Sequence, residues 1–176
     1  MNVIEAASRV LASARFDTWP IENLPFPCLG MESVGLLGFV FAFPDVQSLL
    51  ENWRATEDAA IRRHAPSFKL AGDKAWNVYS VFATADKAEP IARRKLQTIE
   101  EDLSQTRKLT GDGVRDDKAM KAALLPLLPI IERPLLSNFD PQERLASRLD
   151  GIVAGVSSVM LNEDADATKI MQFLRQ

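Results

Sequence analysis

The apolar residues of this chain follow a helical repeat in some segments and a strand-like repeat in others. Between residues 2 and 15, Val3, Ala7, Val10 and Leu11 recur near helical spacing. A repeat of about 3.6 residues predicts an amphipathic helix. We therefore expect an opening helix whose apolar face covers a sheet or a partner.

Three later segments have the composition of β-strands. Residues 34–43 form a short, nearly continuous apolar run ended by Pro44, which favours a strand buried on both faces. Residues 76–84 carry bulk on both alternating faces, which favours a central strand. Residues 106–110 precede a glycine-rich turn and supply a short third strand. We expect the first two of these strands to pair in parallel.

Helical patterns separate the strands. Asp45 suits the N-cap of a long helix that reaches about residue 65, with Pro66 as its terminator. Pro90 suits the first turn of a second helix, which ends near Leu103. The resulting β-α-β-α-β order predicts an α+β fold, with a small sheet core, helices packed around it and a helical C-terminal part.

The C-terminal part is interrupted by prolines. A helix is predicted from residue 116 to about residue 125, just before Pro126. Further short helices are predicted at about 141–149 and 165–174, and residues 151–156 suit either a strand or an apolar loop.

Two domains follow from this pattern. Residues 1–130 form the α+β core domain, with its opening helix and a proline-rich connector, and residues 131–176 form a helical appendage. The connector spans residues 17–27 and holds three prolines, so an extended path is predicted. Its apolar side chains either pin it to the core or form an exposed partner-binding arm. These side chains include Trp19, Ile21 and Phe26.

Composition and charge place the chain among ordinary globular proteins. Its 176 residues are 47% apolar and 26% charged, which is enough apolar material for a folded core. The net charge of −3 gives no overall attraction to phosphate backbones, although a local basic patch is compatible with it.

The single cysteine and the single histidine limit redox and metal chemistry. Cys28 has no intramolecular disulfide partner, and Cys28 and His64 together supply too few soft ligands for a zinc site. We interpret Cys28 as a buried, inert thiol and His64 as a surface residue near a helix end. No signal peptide or membrane-length apolar segment is evident, which favours a reducing cytoplasm. No cofactor or metal is predicted.

An acidic triplet followed by two basic residues is the one candidate for catalysis. Glu100, Glu101 and Asp102 are consecutive, with Arg107 and Lys108 nearby. A metal-dependent nuclease needs carboxylates that converge on Mg²⁺ beside a cation. Consecutive helical residues lie about 100° apart, so all three cannot converge. A salt-bridged helix end or interface is the preferred interpretation, with the nuclease as the last alternative.

Two basic clusters lie on predicted helices. Each is either a solvated helix face or a contact for phosphate, and the second possibility makes a nucleic-acid-binding regulator the main alternative function. The clusters are Arg62 and Arg63, and Arg93, Arg94 and Lys95.

Four segments carry a resemblance to a known group of proteins. They contain Trp76-Asn77-Val78-Tyr79 within residues 74–82, Glu100-Glu101-Asp102 within 99–102, Thr106-Arg107-Lys108, and Leu124-Leu125-Pro126-Leu127 within 123–130. Together they resemble small accessory proteins of bacterial ABC-three-component defence systems, including the middle components of Lamassu-like systems.

The resemblance implies a noncatalytic subunit that binds an SMC-like or related ABC ATPase and works beside an effector, often a nuclease. It leaves open whether this chain contacts DNA directly. On this hypothesis, apolar side chains are buried against the partner and polar ones fix the contact. The apolar set is Trp19, Ile21, Phe26, Leu124 and Leu127, and the polar set is Glu100, Glu101, Asp102, Arg107 and Lys108.

Overall fold

The chain divides into two compact units, Met1–Pro129 and Ile130–Gln176. The computed structural model describes residues 2–129, 141–151, 157–158 and 171. The first unit contains the sheet and four of the described helices. Within the second unit, one described helix, α5, spans Pro141–Asp150.

The first unit is built on one mixed sheet of five strands in the order β1-β2-β3-β4-β5. The first three strands are antiparallel neighbours, and β3, β4 and β5 run parallel. The predicted parallel pairing of the first two sequence-predicted strands, now β3 and β4, is therefore confirmed. The strands are β1 (Asp17–Ile21), β2 (Cys28–Glu32), β3 (Leu37–Phe43), β4 (Val78–Thr84) and β5 (Arg107–Gly111).

Helices cover both faces of this sheet, and the predicted α+β class is confirmed. The crossovers β3-α2-β4-α3-β5 give the expected β-α-β-α-β core. One apolar cluster joins one sheet face to α1 and α4, and a second joins the other face to α2 and α3. The helices are α1 (Val3–Ser13), α2 (Val46–Leu70), α3 (Pro90–Glu101) and α4 (Asp117–Ala123). A 3₁₀ helix spans Gly72–Trp76.

A single row of paired residues crosses all five strands on the face that α2 covers. Trp19 pairs with Gly30, Gly30 with Phe39, Phe39 with Ser80, and Ser80 with Lys108. Directly paired residues project to the same side of a sheet. An aromatic end of the row at β1 to β3 is therefore continuous with a polar end at β4 and β5.

The proline-rich connector forms β1 and the loop of a β-hairpin, so the extended path is present at residues 17–21, and its pairing with β2 was not predicted. Residues 17–21 and 28–32 pair as β1 and β2. Pro20 lies within β1, and β1 is an edge strand. A proline lacks a backbone donor, but an edge strand has one side without a neighbour, so proline is tolerated there.

Three element boundaries also differ from the sequence prediction. Pro66 lies inside α2, which continues to Leu70. Pro66 and Arg62 are both exposed, so water can reach the side of the helix where the proline removes a hydrogen bond. Trp76 belongs to the 3₁₀ helix and not to β4. Residues 34–36 form a turn before β3, closed by the Ser33 amide donating to the Leu36 carbonyl.

The outer edge of β5 is covered by a side chain of α3. The Thr110 amide donates to Glu100 Oε1 at 2.7 Å, and the Thr110 hydroxyl donates to the same oxygen at 2.8 Å. An edge amide that would otherwise face solvent is thus satisfied within the chain.

Two predicted elements of the C-terminal part fall almost entirely outside the described residues. They are the strand or loop at residues 151–156 and the helix at 165–174. Among the helices in the described part of the chain, none is long and apolar enough to cross a membrane.

Candidate functional site

A fully buried ion pair joins α2 to β5 at the polar end of the sheet row. The side chains of Glu57 and Lys108 have no solvent exposure, and Lys108 Nζ lies 3.5 Å from Glu57 Oε1. Asp102 Oδ1 lies 3.6 Å from the same ammonium. The Trp53 ring covers Lys108 Nζ at 5.7 Å from its centroid. Buried charges are costly unless they are paired, so this arrangement fixes α2 over β5.

Hydrogen bonds support the buried ion pair, although Glu57 Oε2 is buried without a hydrogen-bond partner among the described residues. Lys108 Nζ donates to the Thr106 carbonyl at 3.1 Å and also to the Ser104 carbonyl. The Thr106 hydroxyl donates to Glu57 Oε1 and lies 3.0 Å from Ser80 Oγ. These contacts enclose the ammonium within the chain itself. The prediction that Lys108 contacts a partner is therefore corrected, because its buried ammonium group is already paired and hydrogen-bonded within the chain.

The acidic triplet at the end of α3 is divided among separate contacts. Glu100 holds Thr110, as described above, and Glu101 is exposed. Asp102 accepts from the Ser104 amide at 2.8 Å and pairs with Arg54. The Ser104 hydroxyl and amide, followed by Arg54 and Lys108, lower the pKa of Asp102. The three carboxylates do not converge, and the described residues hold no group of three His, Cys, Asp or Glu side chains that could bind a metal ion.

Unlike Lys108, its neighbour on β5, Arg107 carries its charge at the protein surface. Its side chain is exposed, and Nη1 donates to the Tyr79 hydroxyl at 3.2 Å. The guanidinium also lies 5.8 Å from the Tyr79 ring centroid. This contact orients Arg107 without neutralising it.

The two basic clusters differ in how far their charges are neutralised. Arg93 pairs with Asp112 at 3.1 Å, so it is already engaged. The other four side chains are exposed and form no ion pair with a described residue. They are Arg62 and Arg63 on α2, and Arg94 and Lys95 on α3.

Carboxylates at the ends of the parallel strands tie neighbouring loops together. Asp86 follows β4, and its carboxylate accepts from the Val46 amide at 3.4 Å, at the start of α2. Asp112 follows β5 and accepts from the Ala88 amide at 2.9 Å, ahead of α3. Ligand sites of parallel sheets often lie at this edge, but here both carboxylates accept hydrogen bonds from backbone amides.

A cleft of about 520 Å³ lies at the aromatic end of the sheet row, between the first three strands and the C-terminal half of α2. We call it the α2 cleft. Apolar side chains dominate its walls, which include Trp19, Phe39, His64, Ser67, Phe68 and Leu70. Mostly apolar concave surfaces with few polar groups are typical of binding sites.

Trp19 forms one wall of the α2 cleft because its strand partner is a glycine. A Cβ at Gly30 would lie 2.6 Å from Trp19 Nε1 and 2.8 Å from Trp19 Cζ2. The indole therefore occupies the space that any other residue at position 30 would need. Trp19 remains 37% exposed in this position.

His64 forms part of the opposite wall and is not the simple surface residue that we predicted. Its ring centroid lies 5.7 Å from that of Phe39. Its Nε2 atom is buried and has no hydrogen-bond partner among the described residues. Burial first, and the charge of Arg63 second, lower the pKa of His64. The correction has a simple cause, because α2 continues beyond Pro66 and keeps His64 within the helix.

Two large apolar side chains at and after the end of α2 are almost fully exposed. Leu70 is 89% exposed at its rim, and Trp76 is 88% exposed in the 3₁₀ helix that follows. Lys74 in the same helix pairs with Glu32, which also lines the cleft. This pair ties the exposed connection to the cleft rim. Sequence reasoning missed Leu70 and Trp76, although the adjacent Gly72 and Asp73 are turn residues that argue against strand at Trp76.

Three other residues predicted to bind a partner lie in the core instead. Ile21 packs in the cluster under α2 and α3. Leu124 and Leu127 are buried with α1 and the opposite sheet face. Their predicted role is corrected, because exposing them to a partner would open the first unit. Phe26 is half-buried against Phe43, with ring centroids 4.5 Å apart.

The predicted burial of Cys28 is confirmed. The thiol lies in the core, and burial raises its pKa to about 12. A thiol held in this way is a poor nucleophile at neutral pH.

Comparison with known proteins gives no relative for this chain. No family model, no curated protein and no solved structure matches it.

Proposed function

We propose that this chain is a noncatalytic accessory subunit of a cytoplasmic bacterial anti-phage defence complex. In that role it binds an SMC-like or related ABC ATPase and links it to an effector. The proposal joins the resemblance of residues 74–130 to the surface properties of the first unit.

The observation that carries the protein-binding part of the proposal is the exposure of Leu70 and Trp76. Leu70 stands almost completely in solvent at the rim of an apolar cleft, and Trp76 is equally exposed in the 3₁₀ helix that follows α2. Exposed apolar side chains at the rim of an apolar cleft are typical of interaction surfaces, where tryptophan often dominates the binding energy. Trp19, which was predicted to contact a partner, lines the same cleft.

The placement of the charged residues also favours binding over chemistry at the acidic triplet. Glu57 and Asp102 both pair with Lys108, and the Lys108 side chain is sealed from solvent. A catalytic group must reach its substrate, so a side chain held in this way suits a structural role.

Affinity purification from the native operon, followed by native mass determination, tests the proposal. We expect the chain to co-elute in a fixed ratio with a large ABC-type ATPase at physiological salt. A lone monomer under these conditions would contradict the accessory-subunit function.

A second candidate function is nucleic-acid binding by the isolated chain. The observation that favours it is that Arg62, Arg63, Arg94 and Lys95 are exposed without ion pairs to described residues. Binding through phosphates would weaken steeply as salt concentration rises. A fluorescence titration of labelled DNA at several salt concentrations measures this dependence, and reversal of all four charges should abolish it.

A further inference from the structure

The α2 cleft and its charged flank together indicate the chemistry of the segment that binds there. Resting on the accessory-subunit function, we propose that the cleft receives an apolar side chain from an acidic segment of the partner protein, and that Arg63 pairs with a carboxylate of that segment.

The apolar part of the proposal follows from the walls of the cleft. Phe39 is buried at its floor, Phe68 is half-buried, and Leu70 stands exposed at its rim. A volume of about 520 Å³ accommodates one or two large side chains. Filling it would remove water from these walls and from Trp19, and the burial of apolar surface is the main favourable term in most protein association.

The charged side chains next to the α2 cleft indicate that the bound segment is acidic. Residues 63, 67 and 70 are spaced by four and three positions, so Arg63 lies on the same flank of α2 as the cleft residues Ser67 and Leu70. Arg63 is exposed and forms no ion pair with a described residue. The rim carboxylate of Glu32 is already paired with Lys74. On this flank of α2, the charge without an ion pair to a described residue is therefore positive, and the adjacent Arg62 adds to it. The exposed carboxylates of Asp17 and Asp73 belong to β1 and to the 3₁₀ helix, not to this flank.

The polar groups of the cleft favour a protein side chain over a small polar ligand or a nucleic acid. His64 Nε2 is sealed, and the Glu32 carboxylate is paired, so few polar groups converge on the cavity. Small-molecule sites usually hold several such groups. A nucleic acid would need a longer track of cations than Arg62 and Arg63 supply, and the whole chain carries a net charge of −3.

Site-specific crosslinking of the full chain in its native host tests the inference. A photoreactive benzoylphenylalanine replaces Leu70, and the same group replaces Ile91, an exposed apolar residue of α3, as the matched control. We expect the Leu70 probe to crosslink to a peptide of another protein that is rich in Asp and Glu, and the Ile91 probe to leave that peptide unlabelled.

Charge reversal provides the second arm of the test. Arg63→Glu should lower the recovery of the partner about tenfold or more, whereas Arg94→Glu on α3 should leave it within about twofold. Both arginines are exposed, so thermal unfolding of the two variants should match that of the parent chain.

Each other outcome overturns the inference. A crosslink to nucleic acid, to a second copy of this chain or to a peptide without acidic residues excludes the proposed occupant. Co-elution of the ATPase without a crosslink at Leu70 overturns the inference and leaves the proposed function standing. Absence of both the crosslink and the ATPase overturns both.

Discussion

Gly38 occupies a position in β3 where the neighbouring strand leaves no room for a side chain. A Cβ there would lie 2.6 Å from the Tyr79 carbonyl oxygen of β4 and would also meet the Met31 side chain. We expect Gly38→Ala to lower the free energy of unfolding by about 1–3 kcal/mol, since the backbone must shift to accept the methyl group. Urea unfolding measures the change.

Gly35 is the matched control for this substitution. A Cβ at position 35 meets nothing within 4 Å, and the residue precedes β3 in the turn. Gly35→Ala should be neutral or stabilise by up to about 1 kcal/mol, because alanine restricts the unfolded chain. Equal destabilisation by both substitutions would show that the close approach at Gly38 is not the cause.

His64 should make stability depend on pH in a defined window. Burial lowers the pKa of His64 in the folded chain, so the unfolded chain binds a proton first as pH falls through the ordinary value of about 6.5. Stability is therefore unaffected well above that value and decreases as pH falls below it. Urea unfolding between about pH 7.5 and pH 5.5 measures the slope.

The His64→Leu variant isolates this effect. His64 is the single histidine of the chain, so its removal should flatten the slope in this window. The comparison uses the change with pH within each variant, which separates titration from any change in packing. An unchanged slope in His64→Leu would assign the dependence to other groups.

At the scale of elements, the Glu57–Lys108 pair couples α2 to β5. Lys108→Met leaves the buried Glu57 carboxylate without a cation, so it should cost about 3–5 kcal/mol of unfolding free energy. Glu57→Leu should cost less, because Asp102 remains 3.6 Å from the Lys108 ammonium. The double variant Glu57→Leu with Lys108→Met should cost clearly less than the sum of the corresponding single changes. Urea unfolding of each single and double variant gives the coupling energy.

Arg54 supplies the control for this cycle. It pairs with Asp102 at the surface, so Arg54→Ala should cost less than about 1 kcal/mol, although it also removes the stacking on Trp53. Additive effects of the Glu57 and Lys108 substitutions would mean that the buried contact does not couple the two elements.

The element order was predictable where local patterns agree with the final packing. The apolar run of β3, the N-cap at Asp45 and the proline at the start of α3 each indicate their element directly. The hairpin was missed because Pro20 breaks a central strand but is tolerated at an edge, and the sequence does not say which strand lies at the edge. The end of α2 was mispredicted at Pro66 for a related reason. A proline is tolerated on an exposed side of a helix, and that exposure depends on tertiary packing.

At the scale of the whole molecule, the first unit should fold without the second. Leu124 and Leu127 complete its core beyond the end of α4. A chain that ends at Pro129 should therefore unfold in one cooperative transition with native-like secondary structure. Circular dichroism during thermal unfolding measures this.

A shorter chain that ends at Ala123 is the control, because it lacks both leucines. Losing two buried leucine side chains should cost several kcal/mol, at about 2–5 kcal/mol for each large-to-small change. We expect this chain to unfold at a clearly lower temperature. Loss of cooperative unfolding in the chain ending at Pro129 would show that the first unit depends on later residues.

The candidate site could be predicted only in fragments, because its walls come from distant parts of the chain. Trp19 was identified from its apolar context, whereas Phe39, His64 and Leu70 join it through strand pairing and the length of α2. Lys108 was identified as charged and functional, but its burial depends on Glu57, which lies in a different element. Such contacts depend on strand register and helix placement, and local patterns do not encode either.

The two edges of the sheet limit the ways in which other chains can attach. Pro20 lacks a backbone donor on the β1 edge, and the Thr110 amide on the β5 edge already donates to Glu100. A strand from another molecule would find one donor missing at the β1 edge and one already bonded at the β5 edge, and each interruption disfavours fibril growth and strand addition. Association with other proteins should therefore proceed through side-chain contacts, as in the α2 cleft, where individual substitutions can tune affinity without disturbing the strand pairing.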